Sequence, residues 1–169
     1  MDKERKEHLS AEDKEARYIQ LAGQVKALVE GETDSICIMA NVAAAIHEAM
    51  GFFWVGFYRV CASPKDEING ELLLGPFQGS VACMHIGYGR GVCGTAWQRR
   101  ETIVVPDVEQ FPGHIACSSL SRSEIVVPVF GKAGQVIAVL DIDSTDLGTF
   151  DETDRRWLEL ICGCLKFDV

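Results

Sequence analysis

No stretch of this sequence approaches the roughly 20 consecutive apolar residues that a membrane-spanning helix requires. The N-terminal run MDKERKEHLSAEDKE is charged and lacks the apolar centre of a secretory signal, so no signal peptide is expected there. Basic residues are scarce: 16 Lys and Arg stand against 25 Asp and Glu, a net charge of −9. That balance argues against a nucleic-acid or anionic-membrane partner, since both need a basic face. A disulfide framework is missing as well, because the seven cysteines are odd in number and irregularly spaced. The expectation is a cytoplasmic protein with reduced thiols, in which any disulfide is catalytic or redox-sensing. No internal repeat or linker divides the 169 residues, which suit one domain with its own core. A hydrophobic content of 47% argues against disorder.

What is present reads as an alternation of helices and strands. A flexible arm is expected over residues 1–15 and a single folded domain over residues 16–169. Ser10 and Asp13 resemble a capping box, and Tyr18, Leu21, Ala22, Val25 and Leu28 follow at helical spacing, with Gly31 as terminator. A second helix starts near Thr33 or Asp34, carries Ile36, Met39, Ala40, Ala43, His47 and Met50 on one face, and stops at Gly51. FFWVGFYRV (52–60) is rich in aromatic and β-branched residues and predicts a strand; a polar loop over 62–70 and a return strand over 71–77 complete a hairpin. Further strands are expected at 79–86, 102–105, 124–130 and 135–143, a short helix at 92–98, and a C-terminal helix from Phe150 capped by Thr149 or Asp151. The inner face of that last helix is expected to carry Trp157, Leu158, Ile161 and Leu165. The order indicates an α+β fold, a largely antiparallel sheet with the N- and C-terminal helices on one face.

Several residues can carry chemistry. Cys83, Cys93 and Cys117 lie in the glycine-rich middle of the chain, Cys83 in the expected strand and Cys93 at the start of the short helix. There the helix dipole favours a thiolate; the alternative is that all three are small buried hydrophobes. Cys83 with His85, and His114 with Cys117, have the residue types of a zinc site, but the spacing matches no finger or ribbon, so no metal is expected. The GYGRG run lacks the ending of a phosphate-binding loop, and its glycines point to tight turns or close backbone approach. Asp141 and Asp143 share one face of an apolar strand, which is costly unless they meet donors or a cation. Glu124 opens the neighbouring strand, so the three acids converge.

The stretches WVGFY (54–58), GPFQG (75–79), AC (82–83), GRGVCGTA (89–96), VPDV (105–108), FPGHIAC (111–117), SRSEIVVP (121–128) and VLDIDS (139–144) recur in one order. Together they closely resemble the free methionine-(R)-sulfoxide reductases, which are stand-alone GAF domains. The resemblance implies a GAF-like domain that reduces the free amino acid sulfoxide with no bound cofactor, using thioredoxin as reductant and NADPH indirectly, and that forms a homodimer. It implies Cys117 as the nucleophile, with Cys83 and Cys93 as resolving or auxiliary thiols. Cys83 is the expected principal resolving residue and Cys93 its competitor. It implies Glu124, Asp141 and Asp143 as the acids that hold substrate and polarise the sulfoxide, and Trp54 as an aromatic wall near the methyl sulfoxide. Either Glu124 or Asp143 serves as the acid, and Asp141 is the first candidate for the substrate ammonium. Relatives often carry an acid after the catalytic cysteine, where this chain has Ser118, and the loss of a negative neighbour favours a thiolate. His114 is then expected to support its loop. The rival readings are a GAF-type sensor that binds a small ligand without catalysis and a redox sensor whose disulfide is itself the signal. The ligand sensor predicts an attached output domain and no need for several thiols.

Overall fold

Each long helix begins where a side chain satisfies its free backbone amides. The computed structural model describes residues 10–167. Ser10 Oγ accepts from the Asp13 N–H at 3.1 Å and opens α1 (Ala11–Val29). Asp34 accepts from the Cys37 N–H at 2.9 Å and opens α2 (Ser35–Met50), which Gly51 ends in a left-handed conformation at φ 69°. Asp151 and Asp154 form a capping box at the start of α4 (Glu152–Gly163). Residues 1–9 of the expected arm lie outside the described residues. Its remainder is helical from Ala11 onward, so ordered structure starts ahead of the expected boundary at residue 16.

Between these helices run β1 (Trp54–Ser63), β2 (Asp66–Gln78), β3 (His85–Gly87), α3 (Gly91–Arg99), β4 (Ile103–Val105), a 3-10 turn (Val108–Gln110), β5 (Ser123–Phe130) and β6 (Val136–Ser144). The strands form one six-stranded sheet in the order β3-β2-β1-β6-β5-β4, every neighbouring pair antiparallel. The loop expected over 62–70 shrinks to a tight turn, because the polar residues from Asp66 onward are the start of β2 rather than loop. The strand expected over 79–86 is only His85–Gly87; Cys83 therefore sits in a loop. The face of α2 is also rotated from the expected stripe. Ile38, Met39, Val42, Ala43, Ile46 and Met50 are buried, whereas Ile36 is exposed.

Alternation along the strands divides the interior in two. Val55 and Phe57 of β1, Ile125, Val127 and Val129 of β5, and Leu140 and Ile142 of β6 point toward α1, α2 and α4. Trp54, Tyr58, Val126 and Val139 point the other way, toward α3. Because Glu124, Asp141 and Asp143 are in phase with Val126 and Val139, pleating alone puts them on the α3 side.

The helical layer is clamped by a buried acid. Asp154 is fully buried and receives the Tyr18 hydroxyl at 2.8 Å and the Lys14 ammonium at 2.7 Å, joining α1 to α4. A hydrogen bond to a buried charged partner is worth about 1.5–3 kcal/mol. Tyr18→Phe is therefore expected to lower unfolding stability by about that much, read as a shifted urea midpoint at unchanged slope.

Candidate active site

Register across three strands assembles the floor of a pocket. Asp143 lies opposite Trp54 on one side and Glu124 on the other, while Asp141 lies opposite Gly56 and Val126. Two acids directly across from each other repel, so this row is a cost that the sheet carries. The Trp54 ring lies over Gly56, where an added Cβ would collide with it. The pocket encloses about 530 Å³, counting the space open to solvent at its mouth, and Trp54, Tyr58, Cys93, Glu124, Asp141 and Asp143 all contribute to its wall.

The electrostatics follow from this crowding. Burial, then the Asp143 charge, pushes the Glu124 carboxyl well above the usual carboxylate range. Burial and the Glu124 charge do the same to Asp141. Burial and the Asp141 charge raise Asp143, while the Ser121 hydroxyl and the nearby His114 pull against that rise. Asp141 lies beside both Glu124 and Cys93, with a carboxylate oxygen within 4.8 Å of a donor atom of each, yet its Oδ1 is buried with no partner among the described residues. The carboxyls thus hold protons that free carboxylates would release. Of the two readings of Cys93, a thiolate favoured by the helix terminus or a small buried residue, the structure takes the second: it is buried, and burial together with Asp141 and Glu124 holds its thiol well above the ordinary value. A helix terminus contributes about 0.3–1 kcal/mol, which burial beside carboxylates outweighs.

Two loops form the rim. In Phe111-Pro112-Gly113-His114 the His114 N–H donates to the Phe111 carbonyl at 3.1 Å and Gly113 sits at φ 73°, the signature of a type II turn. That turn brings His114 Nε2 within 3.5 Å of Glu124 Oε2, so the histidine expected to support its loop also lines the pocket. Beyond it, Ser118 Oγ accepts from the Leu120 N–H at 3.2 Å. The second loop carries Cys83 and is pinned from below: the Trp54 indole donates to the Ser80 carbonyl and the Tyr58 hydroxyl to the Cys83 carbonyl, each at 2.9 Å. A disulfide joins Cys83 to Cys117 across the rim, with Cα atoms 5.4 Å apart, inside the ordinary range for such a bridge. Cys117 is exposed and Cys83 half-buried.

Gly79 turns the chain into the Cys83 loop at φ 131°, and an added Cβ there would collide with Trp54. Gly79→Ala is expected to destabilise the fold by about 1–3 kcal/mol and to slow closure of the Cys83–Cys117 bridge. Thiol titration during oxidation would follow the second effect.

All of the expected site residues, Trp54, Cys83, Cys93, Cys117, Glu124, Asp141 and Asp143, come together on this side of the sheet. His85 does not join them; it faces Glu71 at 3.2 Å on the neighbouring strand. With Cys83 and Cys117 joined to each other, the zinc grouping of Cys83, His85, His114 and Cys117 is not assembled. Tyr58, Ser121 and Arg90 line the pocket without having been singled out. Tyr58 was within reach, standing an even number of residues from Trp54 on the same strand. The glycine-rich run closes by backbone contact as expected: the Gly89 N–H donates to the Gly94 carbonyl at 3.1 Å.

Residues 37–164 match the GAF domain family. The chain is 53% identical over 153 residues to "GAF domain-containing protein A" of Dictyostelium discoideum, covering 90% of this chain and 92% of the relative. It is 43% identical over 150 residues to the free methionine-R-sulfoxide reductase of Escherichia coli, covering 88% and 86%. Its fold superposes with a TM-score of 0.84, at 51% identity and over 93% and 90% of the two chains, on the X-ray structure of free methionine-R-sulfoxide reductase from Neisseria meningitidis in complex with its substrate.

Proposed function

The chain belongs to the GAF domain family and, within it, to the free methionine-R-sulfoxide reductases, and from that premise we propose that it reduces free L-methionine (R)-S-oxide to L-methionine through a cysteine sulfenic acid. The observation that carries this reading is the Cys83–Cys117 disulfide on the rim of a pocket floored by three carboxyls of raised pKa.

The chemistry follows from those groups. A sulfoxide sulfur is electrophilic, but its oxygen is transferred only if a proton reaches it. The Cys117 thiolate attacks sulfur while a buried carboxyl protonates the oxygen. Methionine departs, and the oxygen stays on Cys117 as a sulfenic acid, the first step of thiol oxidation. Glu124 is the acid we assign, supported by its burial and by the His114 ring 3.5 Å away, which can return a proton from the rim. Cys83 then attacks the Cys117 sulfur, water leaves with the oxygen, and the disulfide forms. Cys93 stays a thiol within the acid cluster.

Recognition of a free amino acid needs both of its charges. The ammonium finds the unpartnered Oδ1 of Asp141, assisted by Asp143. The carboxylate finds the backbone amides that open α3 and the guanidinium of Arg90, which precedes that helix in the pocket wall. A peptide-bound sulfoxide lacks these charges. Reduction of the disulfide by a low-potential dithiol such as thioredoxin is supported by the exposure of Cys117. No helix among the described residues is long and apolar enough to cross a membrane. We assign the protein to the cytoplasm, and we take the homodimer from the family resemblance.

Coupled NADPH consumption with thioredoxin and thioredoxin reductase tests the reading. Consumption is expected with free methionine-R-sulfoxide and not with an N-acylated, amidated counterpart. Equal rates on both, or none on either, would sink it.

A further inference from the structure

Beyond the reductase reading, the pocket floor has the donor set of a metal site. The Cys93 sulfur and one carboxylate oxygen each from Glu124 and Asp141 lie within 4.8 Å of one another, and all three residues are buried. Asp141 is only 7% exposed, and its Oδ1 lacks any hydrogen-bond partner among the described residues. We infer that Cys93, Glu124 and Asp141 bind one borderline divalent metal ion of the Zn²⁺ class, and that its occupancy shuts the sulfoxide out of the pocket.

The geometry needs little adjustment. In a tetrahedral zinc site with Zn–S near 2.3 Å and Zn–O near 2.1 Å, donor atoms stand roughly 3.4–3.6 Å apart. Donors already within 4.8 Å reach that arrangement by side-chain rotation of about an ångström. Glu124 and Asp141 are fixed by paired strands and Cys93 by the first turn of α3, so the three directions are set by rigid elements. Three protein ligands leave a fourth position facing the pocket. The set also selects its ion. A thiolate favours Zn²⁺ or Co²⁺, while Mg²⁺ and Ca²⁺ take oxygen ligands. A bound cation would supply a counter-charge to the buried Asp141 carboxyl and offset the repulsion among the floor carboxylates. The thiol proton, and any proton held by the Glu124 and Asp141 carboxyls, leaves to solvent on binding.

The test uses the disulfide form of the full chain, in which Cys83 and Cys117 are locked together. Co²⁺ titrated into chelator-free buffer is expected to bind at one equivalent, with thiolate-to-cobalt charge-transfer absorption in the near ultraviolet. Zn²⁺ should displace it and Mg²⁺ should not. Cys93→Ser should abolish the absorption, while Cys37→Ser, at an exposed cysteine, should keep it. Asp141→Asn guards against a misfolded cysteine variant and should weaken Co²⁺ binding by at least about tenfold. No absorption in the parent, or undiminished binding in Asp141→Asn, overturns the site. The readout is absorption rather than turnover, so its failure leaves the reductase reading untouched.

Discussion

Replacing Cys117 by Ser is expected to cut turnover of free methionine-R-sulfoxide by at least about 10³-fold, because a serine hydroxyl has neither the thiolate's acidity nor its nucleophilicity. The companion variant separates nucleophile from resolving thiol. Cys83→Ser keeps the attacking sulfur, so the reduced protein should release one methionine per chain and stop, with Cys117 held as a sulfenic acid that a dimedone probe labels. Continued turnover then runs only as fast as an external thiol reaches that sulfenic acid directly. Cys93→Ala should still close the Cys83–Cys117 bridge, since Cys93 is buried among carboxylates whereas Cys83 is already bonded across the rim. Sustained turnover in Cys117→Ser would remove the nucleophile from this account. Full turnover in Cys83→Ala with loss in Cys93→Ala would exchange the resolving roles.

Glu124→Gln is expected to lower kcat by about 10²–10⁴, the usual share of a positioned acid, while making the folded protein more stable. Both effects share one cause. Burial first, and the Asp143 charge second, hold the folded Glu124 pKa above its unfolded value. The folded chain therefore binds a proton that the unfolded chain has released. Stability from such a group is fully present below the unfolded value, about 4.3, and is lost as pH rises through the folded value. Glutamine keeps the shape and has nothing to ionise. The gain in melting temperature should therefore be larger near pH 8 than near pH 5, at about 2–4 °C per kcal/mol for a chain of this size. Asp141→Asn should show the same stability pattern, since burial and the Glu124 charge raise that carboxyl too, but its loss of activity should fall mainly on KM. A melting temperature that drops in both variants, more at high pH than at low, would reverse the sign and refute the protonated floor.

The acids were legible because a strand repeats every second residue. The pleat alone places Val139, Asp141 and Asp143 on one face of β6 and Glu124 and Val126 on one face of β5, and the pairing of β5 with β6 brings the two sets together. The cysteines were harder to place. Cys83 reads as part of a strand in its own stretch; it is the Trp54 and Tyr58 hydrogen bonds, made from a distant strand, that hold it in a loop. Cys93 has the local context of a reactive thiol, and its surroundings on β5 and β6 reverse that. His114 has no local partner either, and only the type II turn at Gly113 carries it to Glu124. Local pattern therefore reached the sheet and its faces. What required the assembled fold was the environment that decides the protonation state of each group.

The most direct measurement is a single turnover without reductant. Fully reduced protein is mixed with one equivalent of free methionine-R-sulfoxide, quenched with an alkylating agent and digested for mass spectrometry. One methionine per chain, together with a peptide pair linked through Cys83 and Cys117, is the predicted result. Methionine formed with the new bridge at Cys93, or with no bridge and no oxidised Cys117, would contradict it.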